Sequence, residues 1–372
     1  MSPRERILDS LSPAGSAETA VVVPYEGIFV RDHWADLIGL PWWLADDPDI
    51  ETQVRWRRIA SARAGSDWFD LPYGCSRAYR QENRIEQDAH GVWRCDRRTG
   101  DRERLHPPAV GGDHLAMDGA PPPQGRDDID ALIPEPVPPA TDDGSADLPT
   151  AVRAAFGAER AALRHVNSPL WSCFGLWGYE AVMTLVAEQS DLLVYACRRL
   201  AALAAQEVRD SAAAGADVVW MEDCMTDQIS PRAYRDLVLP SLEQLTAACR
   251  EVGVRCVHYY CGDPRYRWGE LLSVDADALA LEESKKGFRI EIAEVVERAR
   301  GRRAILGNLD AVGVLQDGSD ADVRAEVQRQ VAVGRRNGGR FIMSLGSPVT
   351  PATPVKRVRL YLDAAREVSS GG

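Results

Sequence analysis

Residues 216–263, "ADVVWMEDCMTDQISPRAYRDLVLPSLEQLTAACREVGVRCVHYYCGD", decide the fold. Two short apolar runs, "ADVVWMED" and "VRCVHYYCGD", stand on either side of a longer segment of helical type. The dipeptide Ser230-Pro231 supplies an N-cap and a first-turn proline for that helix. Strand, helix and strand in this order predict a parallel sheet that is covered by helices.

The same alternation continues on both sides of this unit. At least five strand–helix units follow residue 150, and "TAVVVPYEGIFV" near the N-terminus reads as the first strand. We therefore predict an α/β fold, a (β/α)8 TIM barrel, with an open doubly wound sheet as the alternative. No G-x-G-x-x-G or G-x-x-x-x-G-K-[ST] motif follows a predicted strand, so no nucleotide cofactor is expected.

One stretch interrupts this pattern. We predict a single barrel domain over residues 1–372, with residues 80–150 as an excursion from it. The segment "RIEQDAHGVWRCDRRTGDRERLHPP" alternates polar and apolar residues around glycine turns, which predicts an inserted β-hairpin or short meander. The Pro-, Asp- and Gly-rich segment after it predicts a surface connection.

Composition narrows the class of protein. The 372 residues are 45% hydrophobic and carry a net charge of −12, which argues against a nucleic-acid-binding surface. The apolar runs are too short to cross a bilayer, and the N-terminus does not resemble a secretion signal. Eight scattered cysteines predict reduced thiols and a cytoplasmic location. The composition is compatible with a homo-oligomer.

Polar side chains close five successive predicted strands, and in a parallel barrel the active site lies at those ends. This clustering predicts an enzyme, although "GNLD" also suits a tight turn and "EESKK" an exposed loop. The strand-end residues are Trp220, Glu222, Asp223, Cys224, His258, Tyr259, Tyr260, Cys261, Asp263, Glu282, Glu283, Lys285, Lys286, Asn308, Asp310, Ser344 and Ser347.

Several segments together resemble the uroporphyrinogen decarboxylase superfamily, which includes zinc-dependent methyltransferases that act with corrinoid proteins. The segments are "SPLWSCFGLWGYEAVM", "GADVVWMEDCMTDQISPRAYRDLVLPSLEQL", "VHYYCGD", "AILGNLD" and "GGRFIMSLGSPVTPATP". The resemblance implies a (β/α)8 barrel with its site at the strand ends. The decarboxylase binds its porphyrinogen through an arginine-rich N-terminal segment, where this chain offers only Arg31.

The methyltransferase branch implies a zinc site in which Cys261 matches one ligand. Tyr259 stands at the position of the family's histidine, and Ser347 stands at that of its second cysteine. A zinc held by His258, Cys261 and Glu222 requires a bulge, because His258 and Cys261 lie on opposite faces of a regular strand. The alternative is a metal-free pocket in which Tyr259, Tyr260 and the carboxylates transfer protons.

Three functions follow from these residues. The first is a methyltransferase or demethylase that moves a methyl group between a small substrate and a separate corrinoid (cobalamin) protein, with Glu222 or Asp223 as the acid. The second is a decarboxylase or related lyase of a small acid, with Lys285, Lys286 and Arg31 on carboxylates and Asp310 or Glu283 handling the proton. The third is a non-catalytic binding barrel.

The expected catalytic residues are Glu222, Asp223, Tyr259 and Glu282, and the expected substrate-binding residues are Trp220, Tyr260, Lys285, Asn308, Asp310 and Ser347.

Overall fold

The computed structural model describes residues 1–111, 119–133, 135, 138–188, 190–284 and 287–370. Within these residues the chain alternates between strands and helices over most of its length. The strands are β1 (Ala20–Val21), β2 (Trp68–Asp70), β3 (Asn83–Asp88), β4 (Gly91–Asp96), β5 (Arg102–Leu105), β6 (Ala161–Asn167), β7 (Val218–Cys224), β8 (Arg255–Cys261), β9 (Ala278–Leu281), β10 (Ala304–Leu306) and β11 (Phe341–Met343).

The helices surround these strands. They are α1 (Pro3–Leu11), α2 (Glu26–Asp32), α3 (Trp34–Leu37), α4 (Ile50–Ala64), α5 (Arg77–Glu82), α6 (Arg126–Leu132), α7 (Ala140–Asp143), α8 (Asp147–Phe156), α9 (Pro169–Ala187), α10 (Asp191–Ala213), α11 (Pro231–Ala233), α12 (Leu239–Val252), α13 (Trp268–Ser273), α14 (Ile292–Ala299), α15 (Asp320–Gly334) and α16 (Val355–Ser370). Short 3₁₀ turns cover Trp42–Ala45, Thr226–Gln228 and Arg335–Asn337, and π-helical segments cover Tyr234–Val238 and Ala311–Gln316.

Eight of the strands form one parallel sheet, in the order β1-β11-β10-β9-β8-β7-β6-β2. A backbone hydrogen bond of 3.0 Å from Asp67 N to Val21 O connects the beginning of β2 with β1, so the sheet curls until its edges meet. The sequence-based prediction of a parallel α/β sheet with barrel-like curvature is confirmed. Helix α1 covers the amino ends of the strands, where Ile7 and Leu11 pack against the inner core.

Local sequence explains where the helices near the site begin and end. Ser230 accepts a hydrogen bond from Ala233 N at 3.1 Å and Pro231 occupies the first turn of α11, so the predicted cap is confirmed. Helix α12 ends at Gly253, whose φ of 75° is a conformation that glycine adopts without steric cost. These two boundaries fix the crossover from β7 to β8, the two strands quoted from the sequence.

The pleat of β7 and β8 divides their side chains between two cores. Trp220 and Tyr259 pack inside the curled sheet with α1, whereas Met221, Cys256 and Tyr260 pack outside against the helices. Both strands run in register, with Glu222 opposite Tyr259 and Cys224 opposite Cys261. Alternate residues of one strand therefore face either the interior of the barrel or the helical layer.

The excursion from the barrel contains a small sheet of its own. Strands β3, β4 and β5 form a three-stranded antiparallel sheet over residues 83–105 in the stretch expected to be a hairpin or meander. The Pro-rich stretch that follows falls partly outside the described residues, and its described part contains α6, α7 and the start of α8.

Helix α9 is, among the described helices, the one that is long and apolar enough to cross a membrane. Its helical geometry is interrupted at Gly178, where φ is 76° and ψ is 171°. Phe174 and Trp177 are buried and contact the main hydrophobic core. Helix α9 thus contributes one face to the core of the fold.

Candidate active site

A cavity of about 490 Å³ opens at the carboxyl ends of β2, β6 and β7. This mouth cavity is lined by Tyr25, Gly27, Ile28, Arg31, Asp70, Tyr73, His165, Asn167 and Glu222. Its position agrees with the expectation that the functional groups of a parallel barrel collect at the carboxyl ends of the strands.

His165 lies between two carboxylates in the mouth cavity. Its Nδ1 is 2.7 Å from Glu222 Oε1, which is hydrogen-bonding distance, and its Nε2 is 3.4 Å from Asp70 Oδ1. Burial alone would lower the pKa of His165, but the charges of Asp70 and Glu222 outweigh it and raise the pKa to about 10. The imidazole is therefore a protonated acid at neutral pH.

Three separate strands place this group. Asn167 on β6 is the register partner of Glu222 on β7, so His165 lies two residues further back along β6 and faces the same interior. Asp70 ends β2 and is held by a hydrogen bond of 2.7 Å from Gly27 N, at the start of α2, to its Oδ2. The side chains thus converge because the carboxyl ends of parallel strands meet at one rim.

An aromatic wall lies beside His165. The ring of Tyr25 is 5.2 Å from the ring of His165, 5.8 Å from Trp220 and 5.7 Å from Tyr259, measured between centroids. Tyr25 adopts a left-handed conformation with a φ of 55°, which costs a non-glycine residue about 1 kcal/mol or more. Burial raises the pKa of Tyr25 well above its ordinary value, so the ring presents a neutral phenol.

Three of the expected site residues belong to the inner face. Glu222 lines the mouth cavity and binds His165. Trp220 and Tyr259 stack with centroids 5.0 Å apart and are almost fully buried in the inner core. Tyr259 O–H lies 3.4 Å from Gly346 O, and burial raises its pKa well above the ordinary value. Trp220 and Tyr259 therefore pack beneath the cavity, as neutral groups.

Three other expected site residues face the helical layer, away from the mouth cavity. Asp223 accepts a hydrogen bond of 2.6 Å from the Tyr234 hydroxyl, and its Oδ2 is 3.2 Å from His258 Nε2. Asp223 and His258 are fully buried, as is Tyr260, whose hydroxyl donates to Asp263 O at 3.3 Å. The strand keeps its regular pleat here, so the predicted convergence of His258 with Cys261 and Glu222 is wrong.

The expected residues on β9, β10 and β11 are bonded to other parts of the protein. Glu283 accepts a hydrogen bond of 2.6 Å from Ser347 Oγ, and both side chains are buried beside the equally buried Glu282. Asn308 Nδ2 donates to Glu282 O at 3.1 Å and to Ile290 O at 3.0 Å. Asp310 caps the following π-helical segment through the amides of Val312 and Gly313. Lys285, predicted to bind substrate, lies outside the described residues, as does Lys286.

The donor set does not fit the zinc ion that the resemblance implies. A catalytic zinc needs three converging protein ligands. Cys224 and Cys261 are register partners on the inner face. The hydrogen bond between them is the larger cause, and burial the second, of a pKa of Cys224 well above its ordinary value. His258 is turned to the other face. In the described part of the chain, no three His, Cys, Asp or Glu side chains are arranged to hold a metal ion.

The fold and site define an α/β protein with an acid–base group at the mouth of a curled parallel sheet. The profile of the family "Uroporphyrinogen decarboxylase (URO-D)" matches residues 123–368, and the chain belongs to this family. The predicted superfamily is confirmed.

Curated relatives are similar over part of their length. A uroporphyrinogen decarboxylase of Thermus thermophilus is 29% identical over 174 residues, which are 45% of this chain and 46% of the relative. That of Saccharopolyspora erythraea is 32% identical over 160 residues, which are 39% of this chain and 40% of the relative. The match thus spans less than half the length of each of these two relatives.

A solved structure shares the whole fold. A methyltransferase from Methanosarcina mazei superposes with a TM-score of 0.65 and covers 99% of both chains, at 18% sequence identity. This likeness supports the architecture from the N-terminal helix to the C-terminal helix, including the part of the chain before residue 123 that the family profile does not match.

Sequence reasoning missed the central group of the site. His165 sits inside "AALRHVN", an apolar strand that ends in polar residues in the same way as the strands that were singled out. Asp70 ends "DWFD", a short stretch in which two aromatic residues precede a carboxylate. The signal was thus present in both segments, but only the register of β2, β6 and β7 shows that the two side chains meet.

Proposed function

We propose that this protein is a methyltransferase or demethylase, which moves a methyl group from a small methylated substrate to a corrinoid protein. The observation that carries the proposal is the position of the His165 imidazole, held between Asp70 and Glu222 at the opening of the barrel, where the two carboxylates raise its pKa to about 10. Such a group is an acid in a position to protonate a leaving heteroatom.

The chemistry requires a proton at a defined place. When the bond between a heteroatom and its methyl carbon breaks, the electron pair stays on the heteroatom, and the corrinoid of the partner protein would supply the nucleophile that accepts the carbon. His165 donates its proton to the heteroatom and regains one from solvent through the open cavity. Asp70 and Glu222 fix the orientation of the ring and keep it charged between turnovers.

The charges at the mouth favour a small substrate with few carboxylates. Arg31 is the one arginine among the described residues that line the mouth cavity, and its Nε already pairs with Asp32 Oδ1 at 2.9 Å. Asp70 and Glu222 would repel a ligand with several negative charges. A volume of about 490 Å³ is within the range of small-molecule sites.

The test is methyl transfer by the purified chain. We expect transfer from members of a panel of methyl thioethers, methoxyarenes and methylamines to free cob(I)alamin, followed by the absorbance change of the cobalamin and by mass spectrometry of the products. The rate should be the same with and without added zinc. Transfer that requires zinc, or an H165Q variant as fast as the wild type, would contradict the proposed site.

A decarboxylase of a small acid is the second candidate. The sequence relatives are decarboxylases, and the imidazolium of His165 is equally placed to protonate the carbanion that remains after loss of carbon dioxide. Carbon dioxide release from a panel of small acids, in the absence of any cobalamin, separates the two. Release that depends on His165, without methyl transfer, would favour the lyase.

A further inference from the structure

A second cavity of about 480 Å³ lies beside the mouth cavity, between β2 and helices α2, α3 and α4. We call it the tryptophan chamber and define it by Glu26, Trp34, Trp42, Trp56, Arg57 and Asp70, which all line it. The chamber and the mouth cavity share Gly27, Arg31 and Asp70 in their walls, so the two spaces adjoin. Of these three shared residues, only Asp70 belongs to the acid–base group of the mouth cavity.

The walls of the chamber are flat aromatic surfaces. Trp34 and Trp56 pack with their ring centroids 5.0 Å apart, and the indole N–H of Trp34 is fixed by a hydrogen bond of 2.6 Å to Leu40 O. Trp42, from a 3₁₀ turn, provides another ring, and Phe69 and Phe156 extend the apolar lining. Rigid aromatic walls of this kind favour a planar apolar ligand.

Glu26 is a buried carboxyl group that faces this chamber. The residue is 4% exposed, and its Oε2 has no hydrogen-bond partner in the described part of the chain. Burial and the nearby charge of Asp70 raise the pKa of Glu26 well above its ordinary value. The raised pKa favours the protonated form of the Glu26 carboxyl group, which is the form that can donate a hydrogen bond.

Arg57 is a desolvated cation at the same cavity. Its guanidinium group stacks over Trp56, 3.9 Å from the ring centroid, and burial lowers its pKa to about 9. Among the described residues its hydrogen bonds go to the backbone and side-chain oxygens of Gln53 on the preceding turn, and no carboxylate pairs with it. A guanidinium group in this state favours a carboxylate ligand, which it can bind through two parallel hydrogen bonds.

We propose that the tryptophan chamber binds an aromatic carboxylic acid, with the ring among the tryptophans and the carboxylate on Arg57. Glu26 donates a hydrogen bond to the bound carboxylate. The proposal that this acid is also the methylated substrate rests on the proposed function. Tyr25 faces the mouth and Glu26 faces the chamber, and Asp70 borders both. The two cavities adjoin at Asp70, and on this proposal the far substituent of the bound acid extends past Asp70 towards His165.

Equilibrium binding tests the chamber without requiring turnover. Titration calorimetry and tryptophan fluorescence would compare benzoate and 3-methoxybenzoate with neutral anisole, saturated cyclohexanecarboxylate and cationic benzyltrimethylammonium. We expect the two benzoates to bind and R57M to weaken them by on the order of 10- to 100-fold, with less loss in R57K. R58M is the matched control, because Arg58 on the same helix lines a different, open groove.

Benzoate affinity that is unchanged in R57M, or preferred binding of the cationic ligand, would overturn the chamber proposal. R57K and the thermal melting curve of each variant separate loss of binding from loss of folding. H165Q should bind benzoates like the wild type. Benzoate binding that depends on Arg57 without methyl transfer would reject only the proposed function. Methyl transfer from neutral or cationic donors without benzoate binding would reject only the chamber.

Discussion

The two sides of the barrel rim carry similar residue types but differ in how those residues are bonded. On the open side, at β2, β6 and β7, Asp70, His165 and Glu222 face a cavity, with the imidazole between the two carboxylates. On the closed side, at β9 to β11, Glu283 and Ser347 are buried and bonded to each other. Polar strand ends therefore indicate chemistry only where their hydrogen bonds leave a group facing a cavity.

The largest expected effect comes from removing the proton on the open side. H165Q keeps a polar side chain of similar size but has no acidic proton near neutral pH. We expect it to lower the rate of the chemical step by about 10²- to 10⁴-fold, which is the usual contribution of a general acid. Single-turnover kinetics with saturating substrate would measure this rate. A comparable loss in E283Q, on the closed side, would remove the distinction between the two sides.

Asp223, Tyr234 and His258 form a buried group in the helical layer behind the open side. Because none of them faces the mouth cavity, we expect this group to contribute to stability and not to the chemical step. Y234F removes a hydrogen bond of 2.6 Å to a fully buried carboxyl group. We expect a loss of about 2 kcal/mol in the free energy of unfolding, because a buried acceptor would lose its hydrogen-bond donor. Urea denaturation would measure it. The rate of the folded variant should stay within about twofold of the wild type, and a large rate loss would place this group in the site.

The fold and the site differ in how far the sequence predicts them. Strands β7 and β8 are predictable because each is a short apolar run next to a capped helix, and their pleat predicts that His258 and Cys261 point to opposite faces. The partner of Glu222 is not predictable in this way, because His165 lies 57 residues away from it along the chain. Asp70 lies on a third strand, β2. The pairing register of β2, β6 and β7 brings the three side chains together, and this register exists only in the folded sheet.

A pH titration sharpens the account of the open side. The two carboxylates raise the pKa of His165 from 6.5 to about 10, and Asp70 contributes more than Glu222. We expect the pKa to fall in both D70N and E222Q, with the larger fall in D70N, by about one unit or more. NMR titration of the imidazole ring resonances would measure the pKa directly.

The same shift predicts how stability depends on pH. A raised pKa means that the folded protein holds the proton more tightly than the unfolded chain does. The resulting stabilisation is fully present below about pH 6.5 and is lost as the pH rises through about 10. Denaturation of the wild type at several values from about pH 6.5 to about pH 10.5 should show this loss, and in E222Q it should be complete at a lower pH. Identical profiles for the two proteins would contradict the charge arrangement on the open side.

The smallest effect is expected on the closed side. S347A removes the hydrogen bond of 2.6 Å from Ser347 Oγ to Glu283 Oε2, which joins the segment after β11 to that after β9. We expect about 1 kcal/mol of lost stability, because a serine hydroxyl is small and the loss of one hydrogen bond contributes on that order. Thermal denaturation would measure it. S273A is the matched control, because the Ser273 hydroxyl donates a hydrogen bond of 2.7 Å to Glu270 O at an exposed position.

The same position tests whether the closed side can open. The resemblance seen in the sequence implies that Ser347 corresponds to a zinc-binding cysteine of the methyltransferase branch, so S347C would supply one residue type that can hold zinc. His258 faces the other side of β8, and a tight zinc site needs at least three converging ligands. We therefore expect S347C to bind no stoichiometric zinc, as measured by elemental analysis of the dialysed protein. Tight binding would show that the closed side rearranges to bring further ligands together. The two sides of the rim would then differ only in the conformation described here, and the closed side could open.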